Sequence, residues 1–255
     1  MKTVLITGAS SGIGKELALV FAERNYRPVL VARRKQLLEN LAQEIKTSFF
    51  IDALIIPLDL AQTDSAEKLM EIIEQKDIEV NVLVNNAGFG DFGPFQEEDM
   101  GRIQDMILLN MLTLTKLSRL IAPKIVRSGF GHIVNIASSA AFQPVPNFAV
   151  YAATKAYVLQ FSEAIAYELK SKGVYVTTIC PGATQTEFQE QSGMNSKMFR
   201  KAPMAFLLAE FTYRAMMKKK TVAIYGASNR FLAFMIRFSP RRLATSMAGK
   251  MMSAD

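Results

Sequence analysis

The chain is predicted to adopt an α/β fold, a doubly wound parallel sheet with helices on both faces. Short apolar runs alternate with amphipathic helical patterns through most of its 255 residues, the pattern of successive βαβ units. A glycine-rich turn, Thr7-Gly8-Ala9-Ser10-Ser11-Gly12-Ile13-Gly14, follows the first run directly. The other polar candidates also come straight after apolar runs, where open parallel sheets bind their ligands.

In order, residues 4–6 read as a strand, and residues 14–24 as a helix with Leu17, Val20 and Phe21 on one face. Residues 28–32 form a second strand, followed by a charged helix through residue 45, and residues 53–56 a third. A helix over 63–76 has Thr63 or Asp64 as its N-cap, and 80–84 is the fourth strand. Residues 97–127 make one or two long helices before a strand at 131–137. A helix over 151–172 and strands at 174–179 and 221–225 complete seven strands.

Composition narrows the chemistry. Half the residues are apolar and 21% charged, which suits a packed core. The single cysteine, Cys180, excludes a disulfide framework or a Cys-rich metal site. The single histidine, His132, lies in an apolar run and reads as a strand residue, so no metal site is expected. A reducing, cytoplasmic setting is the default for such a chain. The first apolar run is too short for a signal peptide, and no uninterrupted apolar stretch matches a spanning helix.

The reactive constellation is Tyr151, Lys155 four residues later, and Ser138 thirteen residues earlier. Residues four apart on a helix share a face, so an ammonium at 155 is expected to lower the Tyr151 phenol's pKa. The Ser138 hydroxyl can polarise the same substrate oxygen. The turn at 8–14, spaced G-x-x-x-G-x-G, admits a pyrophosphate to the backbone at a helix N-terminus. After the second strand an acid would read an NAD ribose, but the sequence there is Ala32-Arg33-Arg34. Two guanidiniums suit a 2′-phosphate, favouring NADP (NADPH) over NAD.

On these residues the chain resembles the short-chain dehydrogenase/reductase family, of the compact, Rossmann-like type. The matching motifs are residues 7–14, Asp59-Leu60, residues 85–88, Asn110, Ser138, residues 151–155 and residues 181–186. The resemblance implies that Tyr151 is the general acid/base, with Lys155 also bonding the nicotinamide ribose. Ser138 would orient the substrate oxygen, and Asn110 would hold a water in a proton relay to Lys155. Gly8, Ser10, Ser11, Gly12, Ile13 and Gly14 would form the dinucleotide turn, with Arg33 and Arg34 at the adenosine end. Asp59 and Leu60 would meet the adenine, and Asn86, Ala87 and Gly88 would shape the cleft. Pro181, Gly182, Thr184 and Thr186 would approach the nicotinamide. The expected reaction interconverts a carbonyl and an alcohol, in a homodimer or homotetramer.

Phe89, Phe92, Phe142, Pro144, Phe148, Phe188 and Met194 are candidate pocket residues and suggest a lipophilic substrate. The chain reads as one domain over 1–255, with a lid region at 187–218 and a basic C-terminal extension at 226–255. The irregular, mixed stretch 183–203, which includes Met198 and Phe199, suggests the lid. Charge is uneven: residues 1–196 carry 18 basic and 21 acidic side chains, net −3, and residues 197–255 carry 12 and 2, net +10. The basic, apolar segment 229–255 suggests peripheral membrane contact rather than nucleic-acid binding, or equally packing on the subunit itself or on a neighbouring one. A non-catalytic nucleotide-binding regulator and a membrane-surface scaffold are the alternatives on the same fold.

Overall fold

The computed structural model describes residues 1–194 and 202–252. Met198 and Phe199 lie outside the described residues. A single parallel sheet runs in the order β3-β2-β1-β4-β5-β6-β7. Its strands are β1 (Lys2–Thr7), β2 (Tyr26–Ala32), β3 (Leu54–Pro57), β4 (Val82–Asn85), β5 (Gly131–Ile136), β6 (Val174–Cys180) and β7 (Val222–Ile224). These match the sequence expectation to within two residues at each end.

The strands are rich in Val, Ile and Leu on both faces because both faces are covered. On one side lie α1 (Gly12–Glu23), α2 (Lys35–Phe49) and α8 (Ala205–Met217), whose Leu17, Phe21, Leu38 and Leu208 are fully buried. On the other lie α3 (Ser65–Gln75), α5 (Leu114–Ser128) and α6 (Ala149–Lys170), contributing Leu69, Leu117, Ile121 and Ala166 to the second core.

The long segment 97–127 resolves into α4 (Met100–Ile107), a π-helical turn (Leu108–Thr113) and α5, continuous in direction. By length and composition this Met100–Ser128 helix passes for a membrane span, at a mean hydropathy of 1.2. That differs from the sequence expectation, which counted only uninterrupted apolar runs. Its apolar side is already used: Ile103, Met106, Leu117, Ile121 and Ile125 pack into the protein.

The expected lid at 187–218 divides. A short helix α7 (Phe188–Gln191) borders the cleft, whereas α8 packs on α1 and belongs to the core, burying Leu208, Ala209 and Met216 completely. The basic extension folds as α9 (Ala227–Ile236) and α10 (Arg241–Met252).

His132 sits on β5, 3% exposed, between the rings of Phe130 and Tyr175. Burial, reinforced by Lys219 and Lys2, pushes its pKa down to about 4. The folded protein therefore resists protonation that the unfolded chain accepts from about pH 6.5 downward. Its contribution to stability is complete above the unfolded value and falls away as pH drops toward 4. As the chain's sole histidine, it gives one imidazole NMR titration, expected to have its midpoint near pH 4 in folded protein; an ordinary midpoint near 6.5 would contradict the buried placement.

Candidate active site

The sheet reverses its winding between β1 and β4, and the loops leaving these two strands open a crevice there. The hydroxyl of Thr7 fastens the seam. It donates to Val84 O (3.2 Å) and accepts from the amides of Asn86 and Ala87 (both 3.0 Å). The Asn86 side chain donates back through Nδ2 to Thr7 O and Gly8 O, at 3.0 and 3.2 Å. Gly8 has φ +66°, and an added Cβ would come within 2.9 Å of Ala87 Cα. At Gly14 a Cβ would overlap Gly8 O. Gly8 and Gly14 are thus glycines for packing reasons: they let loop, helix and the second loop close on one another.

From this seam a cleft of about 900 Å³ extends in both directions. One end is lined by Ser10, Ser11, Gly12, Ile13, Arg33, Arg34, Asp59 and Leu60, the middle by Asn86, Ala87 and Gly88. Ser138, Tyr151 and Lys155 line the other end, with Pro181, Gly182, Thr184 and Thr186. Gly14 and Asn110 do not line it: Gly14 packs beneath Gly8, and Asn110 is buried behind Gly88. The remaining predicted site residues share one continuous cavity.

The arginine end is built for anions. Arg34 donates to the hydroxyls of Ser10 (3.1 Å) and Ser11 (2.7 Å) and pairs with Glu187 at 2.8 Å. The Arg34 hydrogen bond, with help from Ser11, lowers the Glu187 pKa despite some burial. A carboxylate of the chain itself is therefore held by an arginine and a serine beside the N-terminus of α1, whose first turn has no acid. Arg33 is exposed and makes no hydrogen bond or ion pair with the described residues, leaving its guanidinium available. Asp59 accepts from Ala61 N at 3.0 Å, capping the turn after β3.

At the opposite end, Tyr151 and Lys155 lie on the first turns of α6, 7% and 5% exposed. The Lys155 ammonium donates to Ile136 O at 2.9 Å and stands 5.6 Å from the Tyr151 ring centre. Burial pushes the Tyr151 phenol up to about 12, opposed only by a hydrogen bond with Ser138. Burial likewise pushes Lys155 down to about 8. The expected lowering of the phenol by the lysine is not seen; the phenol lies above its ordinary value. Burial shifts both groups toward their neutral forms, because a charge there forfeits solvation; at about 8 the lysine still carries its proton through neutral pH. Ser138 also accepts from Ala140 N (3.1 Å), which fixes its oxygen at the start of a short 3₁₀ turn.

Asn110 occupies the π-helical turn and is 1% exposed. Its amide donates to Phe89 O (2.9 Å) and Thr154 Oγ1 (3.1 Å), and its carbonyl accepts from Phe89 N (3.2 Å). It therefore ties the loop after β4 to α6, one residue before Lys155. A Cβ on Gly88 would lie 2.7 Å from Asn110 Oδ1 and 3.4 Å from Lys155 Nζ, so that glycine is the gap separating the two side chains.

Sequence reasoning missed the polar seam beneath the site. Asn85 donates to Ser118 (3.1 Å) and Asn135 (2.9 Å), and Asn135 donates to Ser162 (2.8 Å). Ser162 donates to Val158 O at 2.6 Å. This buried chain couples β4, β5 and α6. Its only sequence signal is polar residues on otherwise apolar strands. Of the expected pocket residues, Phe89, Phe148, Phe188 and Met194 line the cleft. Phe92 packs edge-on behind Phe148, and Phe142 packs with a different core around Leu114. Phe92, Phe142 and Pro144 lie outside the lining, whereas Leu232, Met251 and Met252, from the C-terminal helices, belong to it.

Residues 2–197 match the family model of the short chain dehydrogenases. The chain belongs to this family. The human very-long-chain 3-oxoacyl-CoA reductase is 34% identical over 181 residues, which cover 69% of this chain and 57% of that protein. The match thus spans little more than half of that longer relative. A short-chain dehydrogenase from Sphingobium yanoikuyae, solved in complex with NADPH, superimposes with a TM-score of 0.84 at 34% identity, covering 92% of both chains. The bulky-bulky ketone specific alcohol dehydrogenase from Comamonas testosteroni gives 0.80 at 31% identity, covering 93% of this chain and 92% of that one. The short chain dehydrogenase match ends before α8, α9 and α10.

Replacing Asn135 with Ala leaves hydrogen-bonding groups of Asn85 and Ser162 each short of a partner in a buried site. Denaturant unfolding should give a loss of about 1–3 kcal/mol; an unchanged midpoint would mean that the seam carries no stability.

Proposed function

We propose that this short chain dehydrogenase is an NADPH-dependent reductase of lipophilic carbonyl compounds, with Tyr151 as proton donor, Ser138 as substrate-oxygen ligand and Lys155 as positioning group. The observation that carries this reading is the single cleft joining the Tyr151–Lys155–Ser138 cluster to a glycine turn and an arginine-lined end.

The residues present fit a nicotinamide dinucleotide phosphate. Gly8, Gly12, Ala87 and Gly88 line the cleft with little side chain, which suits the close approach of a pyrophosphate. Neither position after β2 is acidic, and the Arg34–Ser11 pair already holds the Glu187 carboxylate. Such a cofactor, when bound, supplies or accepts the hydride. Tyr151, protonated at neutral pH because burial raises its pKa to about 12, is in the right state to donate its hydroxyl proton to the forming alkoxide. The Ser138 hydroxyl, fixed by Ala140 N, can bond the same oxygen. Lys155, anchored on Ile136 O, would hold the ribose hydroxyls of such a cofactor. Phe148 stacks on Tyr151 with ring centres 4.3 Å apart, and Phe188 lies at 5.4 Å. These rings surround the phenol with apolar surface and favour a substrate with apolar arms. The Sphingobium protein with NADPH and the bulky-ketone dehydrogenase support the same direction by analogy.

Titration of the purified protein with NADPH and with NADH, followed by cofactor fluorescence, should give tighter binding of NADPH. Arg33→Ala should weaken NADPH by roughly ten- to a hundredfold, the loss of a charge-assisted bond, and leave NADH unchanged. Equal weakening of both would overturn the 2′-phosphate assignment, and binding of neither would overturn the reductase reading.

Tyr151→Phe should retain NADPH binding and lower carbonyl reduction by roughly a hundred- to ten-thousandfold. Reduction by the unaltered enzyme should be nearly flat through neutral pH, because its acid is already protonated. Alcohol oxidation needs the phenolate and should climb with rising pH. A reduction rate that collapses between pH 6 and 8, near an ordinary histidine pKa of about 6.5, would point to another acid.

A further inference from the structure

The two C-terminal helices are amphipathic in the inverse sense. Ala233 of α9 and Ala244 and Ala248 of α10 face the protein and are buried. The large apolar side chains face outward. On α9 they are Phe231, Phe234, Met235 and the following Phe238, spaced as one helical stripe. On α10 they are Leu243, Met247 and Met251, each one turn apart. Phe231 is 67% exposed and Phe238 72%. Scattered exposed apolar residues need no explanation, but an exposed apolar stripe on each of two successive helices does.

The charge around the stripe selects its partner. Between Asn229 and Met252 the chain carries Arg230, Arg237, Arg241, Arg242 and Lys250, and no acidic residue. A second copy docking through the same patch about a two-fold axis would bring these cations face to face, since such an interface is self-complementary. An anionic lipid surface instead accepts the phenylalanines among its acyl chains and the arginines at its phosphates.

The same helices reach the candidate active site. Leu232, Met251 and Met252 line the cleft, and Met252 packs on the apolar cluster that contains Tyr151 and Phe148. We propose that α9 and α10 dock the protein on an anionic bilayer surface and set the substrate end of the cleft against it, so that a membrane-dissolved carbonyl compound enters from the lipid. This rests on the reductase reading for the identity of the substrate, but the docking does not.

The chain contains no tryptophan, so Phe234→Trp installs one fluorophore on the stripe. With full-length protein, its emission should shift to the blue on adding phosphatidylglycerol-containing vesicles and change little with phosphatidylcholine alone. Bromolipids should quench it. Each of Arg237→Glu and Arg241→Glu should weaken vesicle binding by roughly fivefold or more, from about 1 kcal/mol per cation near an anionic surface. The double variant Phe234→Ser/Phe238→Ser lies outside the cleft lining. It should keep NADPH binding and activity on a water-soluble ketone, and lose activity on a long-chain ketone carried in vesicles.

Absence of binding to anionic vesicles at low salt would overturn the proposal, as would equal binding to neutral ones. A tryptophan already shielded without lipid, in a complex that the double variant dissociates in sedimentation, would assign the face to a second copy instead. Failure of NADPH binding with vesicle binding intact would sink the reductase reading and leave the docking standing.

Discussion

The site depends on the seam between β1 and β4. In a parallel sheet every strand delivers its following loop to the same edge, and only where the crossovers diverge do two neighbouring loops part to leave a crevice. Here the Thr7 hydroxyl bridges that point, reaching Val84 O and the amides of Asn86 and Ala87. It holds the glycine turn and the Asn86–Gly88 loop at fixed separation. The glycines then follow as a consequence, since a side chain at Gly8 or Gly14 would force the two loops apart.

Desolvation governs the other end of the cleft. The spacing of Tyr151 and Lys155 suggests a phenol made acidic by a neighbouring cation. The structure makes both groups less willing to ionise, the phenol toward about 12 and the ammonium toward about 8. Burial sets both directions, and the ammonium, 5.6 Å from the ring, gives its hydrogen bond to Ile136 O instead of the phenol. That balance is consistent with the proposed proton donor and positioning lysine.

The architecture was readable because it rests on local signals. Apolar runs of strand length, glycine after the first, and helical stripes such as Leu17-Val20-Phe21 are visible without tertiary context. The candidate residues from Gly8 to Thr186 were legible because most of them follow strands. Three things were not. Phe92 and Phe142 looked like pocket residues because aromatic character carries no direction; one packs behind Phe148 and the other with another core. The Asn85–Asn135–Ser162 chain was hidden because a polar residue in a strand shows its purpose only when its partners arrive from other elements. Within the expected lid region at 187–218, the packing of α8 on α1 was hidden because the mixed composition of that helix does not reveal its partner.

By itself, the sequence determined the parallel α/β fold, the glycine turn, the paired arginines and the Tyr151–Lys155–Ser138 set, since each is written in local spacing and residue type. Only the tertiary structure decided which aromatics face the cleft, that Asn110 ties the Phe89 loop to α6, that residues of α9 and α10 line the cleft near Tyr151, and which way the buried pKa values move. The physical reason is common to all of these: burial and hydrogen-bond partnership are properties of what surrounds a side chain, and most of those surroundings come from residues distant in sequence.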